Sequence, residues 1–314
     1  GFKKGGIIDI RVVDQTNKVI PVEIEEATRF RDGGIKNAKI IFIARDIPAM
    51  GEAVYRVVPL TAASGLNASQ ENSEGLLENE FYRAKVDLST GAMTSLEVKS
   101  NNWEVLDKAG NVVVHQYDGG DLWELYENLR GGSNINMTRK QPVPSENIDQ
   151  LSTEFRGERG KVHQGPVYSE YNLALHRFCA DGALSTTVRI YNGLRRIEIR
   201  TKILNNEKFV RYQVMFPTTI VNGKIVHEIP FGSIERPNGI EFPAQHWAYH
   251  SDGEKVLAVL NRGLPGNLKS DLHMMLAFLP SASDARYGYG GGYGRGLSSV
   301  TGFFHRRGVQ FHSS

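Results

Sequence analysis

Short runs in which apolar and polar residues alternate recur along this chain, and turn residues separate them. Residues 7–13, 19–24, 39–44, 53–58, 84–88 and 112–115 all carry the period of two that sends successive side chains to opposite faces of a strand. Asp32-Gly33-Gly34, Ser89-Thr90-Gly91, Asp181-Gly182, Asn192-Gly193, Asn222-Gly223 and Asp252-Gly253 sit between such runs and supply the positive-φ positions that tight turns require; several close hairpins. No segment holds a 3.6-residue period over three turns, and 33 Gly with 12 Pro interrupt the chain throughout. This periodicity specifies an all-β fold, with helix as a minor component.

The 314 residues suffice for one large domain or two unequal ones. Residues 61–75 are small and polar without alternation, which marks a boundary. We expect a small β-sandwich module over residues 1–62, a linker over 63–76, and a large antiparallel β-domain over 77–314 built from two sheets stacked face to face. Residues 131–147, with Pro142 and Pro144, are expected to form a long surface loop, because strands resume directly after them. Val309-Gln-Phe-His-Ser-Ser314 has the character of a strand whose partners continue further, so a fragment of a longer polypeptide is expected, truncated at its C-terminal end.

Charge narrows the partners. Lys and Arg number 37 against 35 Asp and Glu, a net charge of +2, so no broad cationic field is available for nucleic acid or an anionic membrane. Neutral ligands such as sugars fit better. Neither a spanning run of about 20 apolar residues nor a signal-peptide core is present, so a soluble chain is expected, with nothing to fix its compartment. Cys179 stands alone in an alternating run and is expected to be a buried structural thiol. Asn67-Ala-Ser and Asn136-Met-Thr match the glycosylation acceptor pattern, a motif too short to carry weight.

Three later stretches follow in order: Arg211-Tyr-Gln-Val-Met-Phe-Pro217, His227-Glu-Ile-Pro-Phe-Gly-Ser-Ile-Glu-Arg-Pro237 and Val256-Leu-Ala-Val-Leu-Asn-Arg-Gly-Leu-Pro-Gly266. Together they resemble the C-terminal β-region of the zinc-dependent α-mannosidases, glycoside hydrolase family 38. Glu78-Asn-Glu-Phe-Tyr82 with residues 86–96 is similar to that family's entry into its large β-domain, and residues 47–57 to its small preceding module. The resemblance implies a supersandwich similar to galactose mutarotase. It also implies that zinc and the nucleophile belong to an N-terminal catalytic barrel, of which this chain shows no trace. That barrel, on the same polypeptide, and a mannose-containing carbohydrate are then the expected partners, with no nucleic acid and no membrane.

Candidate sugar-binding residues follow from the same resemblance. Tyr117-Asp-Gly-Gly-Asp-Leu-Trp-Glu124 occupies a position that lies close to the barrel in the family. Asp118 and Asp121 could accept from ring hydroxyls while Trp123 stacks on sugar C–H faces; alternatively Asp118-Gly119-Gly120 builds a turn and Trp123 anchors the next strand. Arg262, at the end of a buried strand, could bond hydroxyls in fork geometry. Pro230-Phe-Gly232 and Glu235-Arg236-Pro237 are read as a bend and a salt-bridged strand end. Tyr287-Gly-Tyr-Gly-Gly-Gly-Tyr-Gly-Arg-Gly296 is read as a flexible surface loop rather than an RNA-binding tract.

A retaining glycosidase needs two carboxyl groups about 5 Å apart. Among the nine His residues, only His246 and His250 have suggestive spacing, and along a strand that spacing separates them by about 13 Å, too far to share a metal. No catalytic residue, metal ligand or cofactor is therefore assigned to this chain, with zinc expected in the missing domain. The expected function is the non-catalytic β-region of a retaining α-mannosidase, inactive alone, that lines the sugar site from the side. The alternatives are a free-standing carbohydrate-binding β-sandwich and an aldose-epimerase-like enzyme.

Overall fold

The computed structural model describes residues 1–3, 5–117, 150–206, 210–237, 241–261, 266–270, 273–279 and 297–304. The chain forms two compact units, one of residues 1–72 with 163–169, the other of 73–162 with 170–314. As the alternation requires, the described residues form strands joined by turns and loops, and the strands pair antiparallel, residues 183–190 with 197–204 for example. No helix among them is long and apolar enough to cross a membrane.

The first unit contains β1 (Asp9–Val13), β2 (Val19–Ile20), β3 (Val22–Arg29), β4 (Ile35–Phe42), β5 (Arg56–Leu60) and β6 (Gln70–Asn72). One sheet has the order β2-β1-β5, and β3 and β4 form a separate ribbon closed at Asp32-Gly33-Gly34. In that turn the Asp32 carboxylate accepts from Gly34 N at 2.9 Å, and Gly33 has φ +83°. The buried apolar side chains are Ile10, Val12, Val13, Val22, Ile35, Val167 and Tyr168. Glu23 is buried too, and it holds residues 163–169: His163 Nε2 bonds one carboxylate oxygen, and Val167 N donates to the other at 3.3 Å.

The second unit begins with β7 (Leu76–Glu78), β8 (Tyr82–Val86), β9 (Met93–Val98), β10 (Trp103–Glu104), β11 (Val112–Tyr117) and β12 (Gln150–Leu151), followed by a single 3-10 turn over Ser152–Glu154. It continues with β13 (Lys161–Gln164) and β14 (Tyr168–Phe178), of which residues 163–164 and 168–169 count with the first unit, then β15 (Gly182–Tyr191), β16 (Arg196–Leu204), β17 (Val210–Phe216), β18 (Lys224–Ile229) and β19 (Gly232–Arg236). The last strands are β20 (Glu241–Pro243), β21 (Trp247–Ser251), β22 (Val256–Asn261), β23 (Gly266–Ser270), β24 (His273–Leu279) and β25 (Leu297–Phe304).

Three sheets share one core. The largest runs β19-β18-β21-β22-β25-β16-β15-β14-β13, a second has the order β12-β11-β17-β24-β23-β20, and a third β10-β9-β8-β7. Inward side chains from all three meet in one apolar cluster, among them Leu77, Tyr82, Val113, Tyr212, Phe178, Ile190, Ile199 and Val259. Alternation along β15 shows how the sequence sets the faces: Leu184, Thr186, Val188 and Ile190 face the core, whereas Ser185, Thr187, Arg189 and Tyr191 face the other side of the sheet, where Arg189 and Tyr191 are nonetheless buried. Cys179 is buried at the turn between β14 and β15 and belongs to the cluster. The tight turn between β8 and β9 is held by the Asp87 carboxylate, which accepts from Ser89 N at 2.8 Å and Thr90 N at 3.0 Å.

Candidate functional site

Asp118, Asp121, Trp123 and Arg262 lie outside the described residues. The strand that leads to Arg262 is described: β22 buries Leu257 and Val259 in the core. A candidate site therefore has to be assembled from other side chains of the second unit, and two neighbouring polar features supply it.

The first is a pair of turns joined by one amide. Asn79, in the Glu78–Tyr82 motif, is 7% exposed, and its Oδ1 accepts from Phe81 N and Tyr82 N, each at 2.8 Å. Its Nδ2 donates to the Tyr191 carbonyl at 2.7 Å and to the Leu194 carbonyl at 3.1 Å, which fixes the Asn192-Gly193 hairpin between β15 and β16. Glu80 accepts from Gly193 N at 3.0 Å, and the Arg195 guanidinium lies 4.7 Å from the Phe81 ring centroid. Glu80, Phe81, Tyr82, Val98, Lys99, Ser100 and Arg195 line an open cavity of about 310 Å³. Lys99 is pinned at its rim, paired with Glu78 and donating to the Asn79 carbonyl. That pairing and the bonds from Arg83 hold the Glu78 carboxyl below the usual carboxylate range, against desolvation.

The second feature covers the outward face of the large sheet directly beyond that hairpin. The pairing of β15 with β16 sets Arg189 opposite Glu198 and Thr187 opposite Arg200. Arg189 Nε donates to Glu170 at 2.5 Å and NH1 to the Tyr191 hydroxyl at 3.5 Å; the hydroxyl donates to Glu198 at 2.7 Å, and Arg200 donates to the other Glu198 oxygen from Nε at 2.8 Å. Arg196 lies 5.0 Å from the Tyr191 ring centroid. Burial alone would raise the Glu198 pKa, but the Tyr191 and Arg200 hydrogen bonds, with the charges of Arg200 and Arg196, hold it below the usual value. Burial, reinforced by the bond to Glu198, raises the Tyr191 hydroxyl. Arg189 is held firmly charged, since its contacts with Glu170 outweigh the penalty of burial.

Further along the same face, Trp247 and Tyr249 are half-buried with ring centroids 5.8 Å apart and planes at 15°, while Ala248 and His250 between and beyond them point into the core. Register carries Glu198 through Thr301 and Leu260 to Trp247, three strand spacings or about 14 Å. The fixed carboxylates and guanidinium groups are of the kind that recognises hydroxyls, and the half-buried rings, three strands away on the same face, of the kind that meets C–H faces.

Two histidines singled out by spacing are separated in role: His250 is fully buried, and His246 is exposed with its ring bonded to Glu228 at 3.2 Å. Among the described residues no three His, Cys, Asp or Glu converge as metal ligands, so those residues do not fit a zinc centre. Sequence reasoning treated the Glu78–Tyr82 motif as architecture and assigned nothing to Glu170, Arg189, Tyr191 or Glu198. Their signal was present only as polar positions alternating with the core-facing residues of their strands, a pattern common to any sheet with one face on the core.

Comparisons with known proteins agree with the fold. An α-mannosidase from Enterococcus faecalis V583 superposes with TM-score 0.67 at 16% identity, over 97% of this chain and 39% of that one. A protein of glycosyl hydrolase family 38 from Enterococcus faecalis gives TM-score 0.68 at 14% identity, over 95% and 39%. A galactose mutarotase related enzyme from Lactobacillus acidophilus aligns at TM-score 0.41 and 9% identity, over 73% of this chain and 96% of that one, too slight a likeness to argue from. This chain thus spans 39% of the length of the two family 38 structures. No curated protein matches it in sequence. The family model described as glycosyl hydrolases family 38 C-terminal domain matches residues 77–286, and on that match the chain belongs to glycosyl hydrolase family 38.

Proposed function

We propose that this chain is the C-terminal, non-catalytic β-region of a zinc-dependent retaining α-mannosidase acting on mannose-containing glycans. In this reading a catalytic barrel on the same polypeptide performs hydrolysis, and the β-region lines the sugar site from the side, with Asp118, Asp121, Trp123 and Arg262 as its sugar-facing side chains. The observation that carries it is the match of the family's C-terminal domain over residues 77–286. The outward cluster around Arg189 and Glu198 supports it as well, because its charged groups are already fixed by one another and so lose little entropy on meeting a ligand.

The test is an assay of the purified chain on an aryl α-mannoside with and without zinc, beside the same chain joined to the polypeptide that precedes it. Turnover is expected only in the joined form. Hydrolysis by the purified chain itself, lost when its own carboxylates are replaced, would overturn the reading.

A further inference from the structure

Two arginines of the first unit share a face, and among the described residues neither is paired with a carboxylate. In the sheet β2-β1-β5, Arg11 stands opposite Val58 and Val13 opposite Arg56 and Val19, so Arg11 and Arg56 are diagonal neighbours on one face, on either side of Val13. Arg56 donates to Asn17 Oδ1 at 2.6 Å, a neutral partner. Arg11 has its Nε buried and, among the described residues, neither a hydrogen bond nor an ion pair. Asp9, two residues along the same face, is engaged elsewhere: it accepts from Ser64 N at 2.9 Å, Ser64 Oγ at 2.6 Å and Ile10 N at 2.8 Å, and from Asn67 Nδ2. Asp14 in the adjoining turn is likewise engaged, with Thr16 and Lys18.

Between the arginines lies an open groove of about 480 Å³ whose floor and walls are Val13, Val19, Val57, Val58 and Pro59. A half-buried guanidinium with an unmade hydrogen bond is costly, and a second cation diagonal to it adds repulsion. Both costs vanish when an anion sits between the forks, since planar guanidinium groups match the oxygens of a carboxylate or phosphate. The groove is far larger than one such group, and its valines offer contact to an uncharged body.

We propose that this groove binds an oxyanion, carboxylate or phosphate, carried on a neutral body. The site is independent of the α-mannosidase reading. The test titrates the purified chain with inorganic phosphate, a hexose phosphate and glutarate, reading the thermal midpoint and the Arg11 Nε–H resonance. A saturable rise in midpoint is expected, strongest for the hexose phosphate, with binding about tenfold weaker in Arg11→Gln and in Arg56→Gln. Without ligand, Arg11→Gln should unfold no earlier than the parent chain, because it removes the repulsion, whereas a purely structural arginine would be missed. Equal affinity for phosphate and hexose phosphate leaves the oxyanion site standing and removes the neutral body. Absence of saturable binding by all three probes, or binding unchanged in both variants, overturns the proposal.

Discussion

The Asn79 amide satisfies four backbone groups in two separate turns, so its truncation would leave buried donors and acceptors unmade at both. Asn79→Ala is expected to destabilise the chain by about 2–4 kcal/mol, read as a shift in urea midpoint at unchanged slope. Glu198 offers a test with a sign. Its folded pKa lies below the ordinary carboxylate value, so its stabilisation is present above the unfolded pKa, about 4, and fades as pH falls through the lower folded value. The stability gap between the parent chain and Glu198→Gln should therefore be constant at neutral pH and close on acidification; a gap that widens below pH of about 4 would contradict the assignment. None of this was visible in the sequence, where Glu198 is one outward residue among many. Asn67 is a contrasting case: its motif is plain, but in the fold its Nδ2 donates to Asp9 and to the Ile10 carbonyl, the nitrogen that glycosylation would need.

Individual strands and their turns are legible because alternation and turn chemistry are local. Residues 84–88, for example, were read as a strand, and β8 occupies 82–86; Ser89-Thr90-Gly91 closes its hairpin as expected. Which strands become neighbours is not local. β25 inserts between β16 and β22, and nothing near residues 297–304 specifies that place, since the choice is made by the complementarity of whole faces. Asn222-Gly223 likewise has hairpin chemistry, yet it connects β17 of one sheet to β18 of another. The β8–β9 turn allows a test of element packing. Gly91 has φ +72°, and a Cβ there would meet Thr186 Cγ2 at 2.2 Å. Gly91→Ala should cost about 2–4 kcal/mol, through strain at positive φ and overpacking against β15. Adding Thr186→Ser removes the clashing methyl while keeping the hydroxyl that accepts from Asn111, so the double variant should recover about half of the loss; full additivity of the two changes would show that the contact is not the cause.

At the scale of the whole molecule, the all-β class and the family were both readable in advance, the first from periodicity and the second from motifs that build strands and turns. The candidate sugar-facing residues follow from positions in the family resemblance together with their chemistry, carboxylates beside an indole and a fork-shaped cation, which sequence can name but cannot bring together. Division of labour is where the proposed function makes its sharpest demand. If zinc belongs to the barrel, a chelator should abolish turnover by the joined polypeptide while leaving the thermal midpoint of this chain where it was. Structural zinc contributes folding energy outright, so its removal from a site within this chain would lower that midpoint by several degrees. A chelator-induced shift in the isolated chain, reversed by zinc, would therefore move the metal into this sequence and remove the reason for regarding it as non-catalytic.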